Sequence, residues 1–436
     1  MPDNKRLVSL ADRYDAAMSP DANDGRPRLE LRPFRGLRYV ESAVSSLWNV
    51  TSPPVDLLDA DAIQALKHGD QHNIVRLILP RGSRGYLRPR GGTAEYAGVE
   101  ERIRQWRDAG VLTRDERPAL YVYEYTDGER VVQGLIGEIG VHEPADRVVH
   151  PHEAVRPEIV ADCVDLMVSA QANLEPILAV YDGGGPAGEI LAQATRAAPR
   201  VLTTSPEGWE HRLWLIDDPA RLRAVAADLA AREALIADGH HRYAAYRRLR
   251  RERGDESAPA NRWNFGLAML VDQQRYPLRL GPIHRSVPRL KLPDLVRTPL
   301  ILRPMATREA AERALADDLT THPGKRTGFL VSDGTEWVLA QLSPGRATEA
   351  PAPVAAAILH DTVLPVLVVD ESTIGYHHSV DAALRSATET RGLAFIATPP
   401  SAEQVMNAAR QGITLPRKTT SFGPKPRIGF VLRVVD

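Results

Sequence analysis

The stretch Leu235-Ile236-Ala237-Asp238-Gly239-His240-His241-Arg242-Tyr243-Ala244-Ala245-Tyr246 decides how this chain is read. A short apolar run enters an Asp-Gly turn, two histidines and an arginine follow, and an alanine/tyrosine helix pattern leaves. Strand, tight turn and helix N-terminus together present backbone N–H groups and a positive dipole end to an anion. Asp238 stands where an N-cap is expected, and Gly239 lets the backbone approach a ligand with no Cβ in the way. Arg242 adds a planar, permanently charged fork suited to phosphate or carboxylate. His240 and His241 can each donate, accept or shuttle a proton near neutral pH. The unit reads as an anion pocket with an acid and a base inside it. The same residues would also serve as a plain solvated turn.

The 436-residue chain is long enough for two or three domains. Its 43% hydrophobic and 25% charged residues are those of an ordinary globular protein. With 55 basic and 56 acidic residues the formal net charge is −1, which argues against a dedicated polyanion-binding surface. A single cysteine, Cys163, excludes an intramolecular disulfide and a thiolate zinc cluster and suits a reducing compartment. The opening MPDNKRLVSLADRYD has no apolar signal core, and no run of 18 apolar residues occurs. A cytoplasmic location without membrane contact is expected.

Outward from the opening stretch, the pattern is α/β (α+β), in three parts. Residues 1–28 read as a flexible N-terminal extension, 29–285 as the region holding the anion turn, and 286–436 as a second α/β domain. Leu29–Phe34 and Ile74–Leu79 are expected to be extended, and the Arg/Gly-rich residues 81–92 a loop. Glu95–Ala109 is an amphipathic helix with Val99, Ile103 and Trp106 on one face. Leu120–Tyr125 and Arg130–Ile139 form a hairpin. Its Tyr121, Tyr123 and Tyr125 share a face by period two, as sheet packing rather than a base-stacking platform. Trp263–Val271 is a buried strand, and Ile428–Val434 a final one.

Landmarks spread along the chain resemble a bacterial and archaeal family known as domain of unknown function 1015. They include Leu31-Arg32-Pro33-Phe34, Ser52-Pro53-Pro54-Val55-Asp56, Asn73-Ile74-Val75-Arg76, His152-Glu153, Asn173-Leu174-Glu175-Pro176-Ile177, the Asp238–Arg242 turn and Leu415–Lys425. Val55 departs from the family's usual tyrosine. The turn itself resembles the phosphate-site motif of the ParB/sulfiredoxin-like superfamily, which includes nucleotide-hydrolysing partition proteins, sulfiredoxin and kinases of free serine. That resemblance implies a ParB/sulfiredoxin-like N-terminal region and a nucleotide phosphate at this helix N-terminus. It further implies hydroxyl activation by Asp238, with His240, His241 and Arg242 on the phosphates.

Phosphoryl transfer needs positioned phosphates, neutralised charge and a base for the attacking hydroxyl. Gly239 with Arg242, the two histidines, and Asp238 are candidates for these roles. Mg²⁺ normally completes such a site, held by a carboxylate and the phosphates. Glu30, Asp56 and Glu153 are the candidate carboxylates. Asn73 and Arg76, and Lys418 and Thr419 in a tail that folds back, are further candidates for nucleotide or phosphate contact. The resulting expectation is a small-molecule kinase moving phosphate from ATP or ADP to a hydroxyl such as that of serine. The alternative is a nucleotide-binding or nucleotide-hydrolysing regulator of ParB type associated with DNA, with the basic run Arg247–Arg253 as its footprint. Walker A, GxGxxG, HExxH and GxSxG patterns are absent.

Overall fold

The computed structural model describes residues 26–80, 93–255, 258, 261–321, 328–343 and 354–435. Most of the expected N-terminal extension and the Arg/Gly-rich loop at 81–92 lie outside them. The chain divides into two units, residues 1–149, 155–277 and 425–436, and residues 150–154 and 278–424.

Alternating hydrophobicity builds the main sheet of the first unit. Its strands are β1 (Leu31–Arg32), β2 (Leu120–Thr126), β3 (Val131–Gly140), β4 (Val149–His150, where the chain leaves the unit), β5 (Ile177–Tyr181), β6 (Val201–Thr204), β7 (Glu210–Ile216), β8 (Ala234–Asp238) and β9 (Phe265–Asp272). They lie in the order β4-β8-β5-β9-β3-β2-β7-β6, with β1 added beside β3. The pair β5–β9 is parallel, whereas β8–β5, β9–β3, β3–β2 and β2–β7 are antiparallel.

One face buries Leu120, Val122, Ile177, Ala179 and Ile236 under four helices: α1 (Pro157–Ala170), α2 (Pro186–Ala194), α3 (Pro219–Leu229) and α4 (His240–Arg253). On α4, Tyr243, Tyr246 and Leu249 face this core, and Tyr246 lies over Gly266, where a Cβ would meet its ring at 2.2 Å. The other face carries the tyrosine stripe. Tyr121, Tyr123 and Tyr125 are all fully buried. Phe430 packs on Tyr123 at 5.0 Å, and the backbone N–H of Arg427 donates to the Tyr123 hydroxyl. The stripe therefore holds the returning C-terminal segment.

Two expectations of extended structure are corrected. Val75–Ile78 is helical. The Asn73 side chain accepts the Val75 N–H at 2.9 Å and starts the turn, while Val75, Leu77 and Ile78 are all buried. An apolar run buried on every side carries no period by which strand and helix can be told apart. Of Ile428–Val434, only Arg433–Val434 pairs as a strand, against Ala172–Asn173. Single bridges join Ile428 to Ser52 and Leu432 to Leu37, and Gly429 at φ +104° turns the backbone between them.

The second unit is built on a six-stranded antiparallel sheet: β10 (His284–Val287), β11 (Leu300–Met305), β12 (Gly328–Ser332), β13 (Trp337–Leu342), β14 (Gly375–His377) and β15 (Leu393–Ile396). The spatial order is β11-β13-β12-β15-β10-β14. Helices α5 (Arg308–Thr321) and α6 (Val380–Glu389) cover one face through Ala311, Leu315, Ala383 and Ala387. The segment from Ala355 to Leu367, whose middle residues Ile358–Val363 are π-helical, covers the other through Ile358, Leu359 and Val363. Among the described residues, no helix is long and apolar enough to cross a membrane.

Candidate functional site

Strand β8 ends in a bulge. Ile236 pairs with Ala179 and Asp238 with Leu178, so Ala237 and Asp238 together face one residue of β5. Side chains alternate strictly along a strand, and without this extra residue Asp238 would point into the apolar core beside Ile236. The bulge turns it to the face of Leu178 instead. Gly239 follows at φ +90°, in the left-handed region that disfavours a side chain. A Cβ there would also meet the Arg242 guanidinium at 2.9 Å and the Ile177 methyl at 3.0 Å. Gly239 is thus the N-cap of α4, which corrects the expectation for Asp238. Among the described residues no side chain caps the N-terminus of this fourteen-residue helix.

Asp238 spends its carboxylate on two cations. Its Oδ2 accepts from Arg242 Nη2 at 2.7 Å, and its Oδ1 from Lys425 Nζ. The same ammonium donates to Asp56 Oδ2 at 2.6 Å, and Arg242 Nη1 donates to Glu175. All five side chains are largely withdrawn from solvent, Asp238 being the most open at 20%. Burial alone would raise the Asp238 carboxyl, but the charges of Lys425 and Arg242 outweigh it and hold the group at about 2. Burial likewise opposes the charge on Lys425, and Asp238 and Asp56 overcome that, keeping its ammonium protonated well above the usual range. The result is a chain of alternating charge, Asp56–Lys425–Asp238–Arg242–Glu175, laid at the open end of a helix.

His240, the first residue of α4, is buried beside Asp238 and helps to hold it ionised. His241 supports the neighbouring backbone instead. Its Nε2 accepts the Arg156 N–H at 3.0 Å, so in the neutral ring the proton sits on Nδ1. Asn73 gives its amide to the carbonyls of Asn49 and Thr51, and Arg76 reaches the carbonyls of Asp70 and Lys67. Glu30 pairs with Arg32 at the start of β1, four strand positions from β8. Glu153, Lys418 and Thr419 belong to the second unit. There Glu153 accepts from the backbone N–H groups of Thr420 and Lys418, and the Thr419 hydroxyl donates to the Pro416 carbonyl. Within Arg247–Arg253, Arg247 and Arg251 share Glu143 and Arg248 pairs with Glu252, so three of the five arginines are engaged in ion pairs.

Lys425 and Glu175 escaped the sequence reading. Both lie in landmark stretches, but no local spacing links Lys425 to an aspartate 187 residues away. Among the described residues no three His, Cys, Asp or Glu side chains gather as metal ligands. The space between Asp56 and Asp238 is taken by an ammonium, so these residues do not fit a protein-caged Mg²⁺.

Fold and site together define a mixed α/β protein with a buried ion-pair relay at the N-terminus of a strand-following helix. The chain belongs to the DUF1015 family, described as proteins of unknown function, whose model matches residues 31–359. No curated protein matches the sequence. Similar solved structures include a free serine kinase mutant in complex with AMP, with TM-score 0.37 and 16% identity over 69% of this chain and 92% of that one. SbnI with a C-terminal truncation, from Staphylococcus aureus, gives 0.36 and 10% over 69% and 87%. A conserved hypothetical protein from Pyrococcus furiosus gives 0.35 and 15% over 66% and 90%.

Proposed function

We propose that the first unit is a ParB/sulfiredoxin-like nucleotide site and that the protein is a small-molecule kinase, moving phosphate from ATP or ADP to a hydroxy substrate such as serine. The observation that carries this reading is the Asp238 carboxylate, turned out of the core by the β8 bulge and held between Lys425 and Arg242 beside the N-terminus of α4. The dipole of α4 and the Lys425 ammonium supply positive charge where the oxygens of a transferring phosphoryl group gather negative charge. The acceptor hydroxyl donates its hydrogen bond to Asp238. As the new O–P bond forms and the bond to the leaving nucleotide oxygen breaks, its proton passes to that carboxylate.

A carboxyl held at about 2 is a weak base. A loose phosphoryl-transfer transition state places small demand on base strength, and phosphates that draw Lys425 toward themselves restore basicity to Asp238. Arg242, tied to Glu175 and Asp238, acts in this reading by orienting Asp238. In this reading His240, at the first position of α4, contacts the phosphates, and His241 supports the turn through Arg156.

The test is incubation of the purified protein with ATP or ADP, Mg²⁺ and a panel of hydroxy amino acids. Phosphate transfer that depends on the acceptor is the expected result. Hydrolysis without an acceptor would instead favour the nucleotide-hydrolysing regulator, and binding without turnover would remove the kinase.

A further inference from the structure

Arg285 of the second unit is fully buried, at 0% exposure. It stands on β10 directly opposite Tyr376 of β14, its guanidinium carbon 5.4 Å from the tyrosine ring centre. Arg417 approaches the same ring at 5.8 Å. The imidazole of His360 stacks on it nearly parallel, at 6.5 Å and 10°. His360 itself lies in the π-helical stretch Ile358–Val363, a backbone form concentrated at functional positions. Three basic side chains therefore surround one tyrosine.

Two carboxylates, Glu153 and Glu371, lie near this cluster, but neither pairs with a guanidinium. Arg285 donates through both terminal nitrogens, but only to the carbonyls of Ile283, Arg417 and Lys418. Among the described residues neither Arg285 nor Arg417 has a carboxylate within ion-pair distance. Glu153 is near enough for its field to reach Arg285, yet its oxygens are committed to Thr420 and the Lys418 N–H. Glu371 meets only the Nδ1 side of His360. Three buried polar atoms of the cluster are left without a hydrogen-bond partner among the described residues: Arg285 Nε, Tyr376 Oη and His360 Nε2.

Buried charges are ordinarily paired, and buried polar groups ordinarily bonded. Water would satisfy single N–H or O–H groups but would bring no counter-charge to the buried Arg285 guanidinium, beside which the half-buried Arg417 adds a second positive charge. A cation is repelled by the same set. A group with negative charge and several acceptor oxygens answers the donors among them, Arg285 Nε–H, the Tyr376 hydroxyl and the Arg417 fork, and its charge would favour the protonated form of His360 that burial and Arg285 otherwise disfavour. We propose that the second unit carries a binding site for a small oxyanion, the phosphate or carboxylate group of a metabolite, formed by Arg285, Arg417, Tyr376 and His360. This site stands independently of the kinase reading, because none of its residues belongs to the Asp238 cluster.

The test measures thermal stabilisation and equilibrium binding of the full chain with inorganic phosphate and with acetate, at ionic strength matched by chloride. Wild type, Arg417→Ala, Tyr376→Phe and the first-unit variant Lys425→Met are compared. Stabilisation by phosphate or acetate beyond chloride is expected in wild type and in Lys425→Met, and whichever anion acts identifies the bound group. Arg417→Ala weakens that binding about tenfold or more. Tyr376→Phe weakens it severalfold while leaving the ligand-free melting temperature unchanged, since its hydroxyl has no protein partner to lose among the described residues. The proposal is overturned if neither anion stabilises beyond chloride, if both second-unit variants bind like wild type, or if only Lys425→Met loses the effect.

Discussion

Lys425 bridges Asp56 and Asp238, and removing it leaves two carboxylates facing each other in a closed space. Breaking a buried pair in this way costs roughly 3 kcal/mol, so Lys425→Met should lower stability by that amount in urea unfolding at neutral pH. Combined with Asp238→Asn it should cost less than the two single changes added, because contacting groups are not additive. Asp238 also sets a pH window. Its folded carboxyl, at about 2, lies below an ordinary aspartate's 3.8, so its stabilisation is complete above 3.8 and is lost as pH falls through 2. The stability difference between wild type and Asp238→Asn should therefore shrink by about 2 kcal/mol from pH 5 to pH 2. At this scale the sequence exposed three of the five residues of the relay. Asp238 and Arg242 announce themselves by adjacency to a turn and a helix, and Asp56 by a neighbouring landmark. Lys425 and Glu175 meet them only through the fold.

A bulge, a left-handed glycine and a helix start do the positioning, and each constrains its neighbours. Gly239→Ala should cost about 1–2 kcal/mol, since it adds the left-handed penalty to a contact with Ile177 and Arg242. It should also weaken nucleotide binding, which isothermal titration would register. Gly266→Ala drives a methyl into the Tyr246 ring and should cost about 1–3 kcal/mol or more by tilting α4 off β9. Chemical denaturation measures both. Strand–turn–helix was readable here because the apolar run, Asp-Gly and the helix pattern follow one another in a dozen residues. The bulge left no such mark, and Val75–Ile78 misled because burial on all sides erases the period that separates helix from strand.

In the first unit, the tyrosine face of the main sheet is closed by residues 425–435. Arg427 anchors that segment to Trp48 and Thr51, and Arg433 anchors it to Glu138, Asn173 and Arg262. One segment thus seals a core face and delivers the lysine of the relay. The tyrosine period predicted a buried face, but nothing local said that the far end of the chain would bury it. The most direct measurement of the whole proposal is phosphorus NMR of wild-type protein with ATP or ADP, Mg²⁺ and serine, run beside Asp238→Asn. A new phosphomonoester resonance in wild type, absent in Asp238→Asn while the variant still binds nucleotide, is the expected result. Nucleotide consumed with no phosphomonoester, or an equal resonance from both proteins, would contradict it.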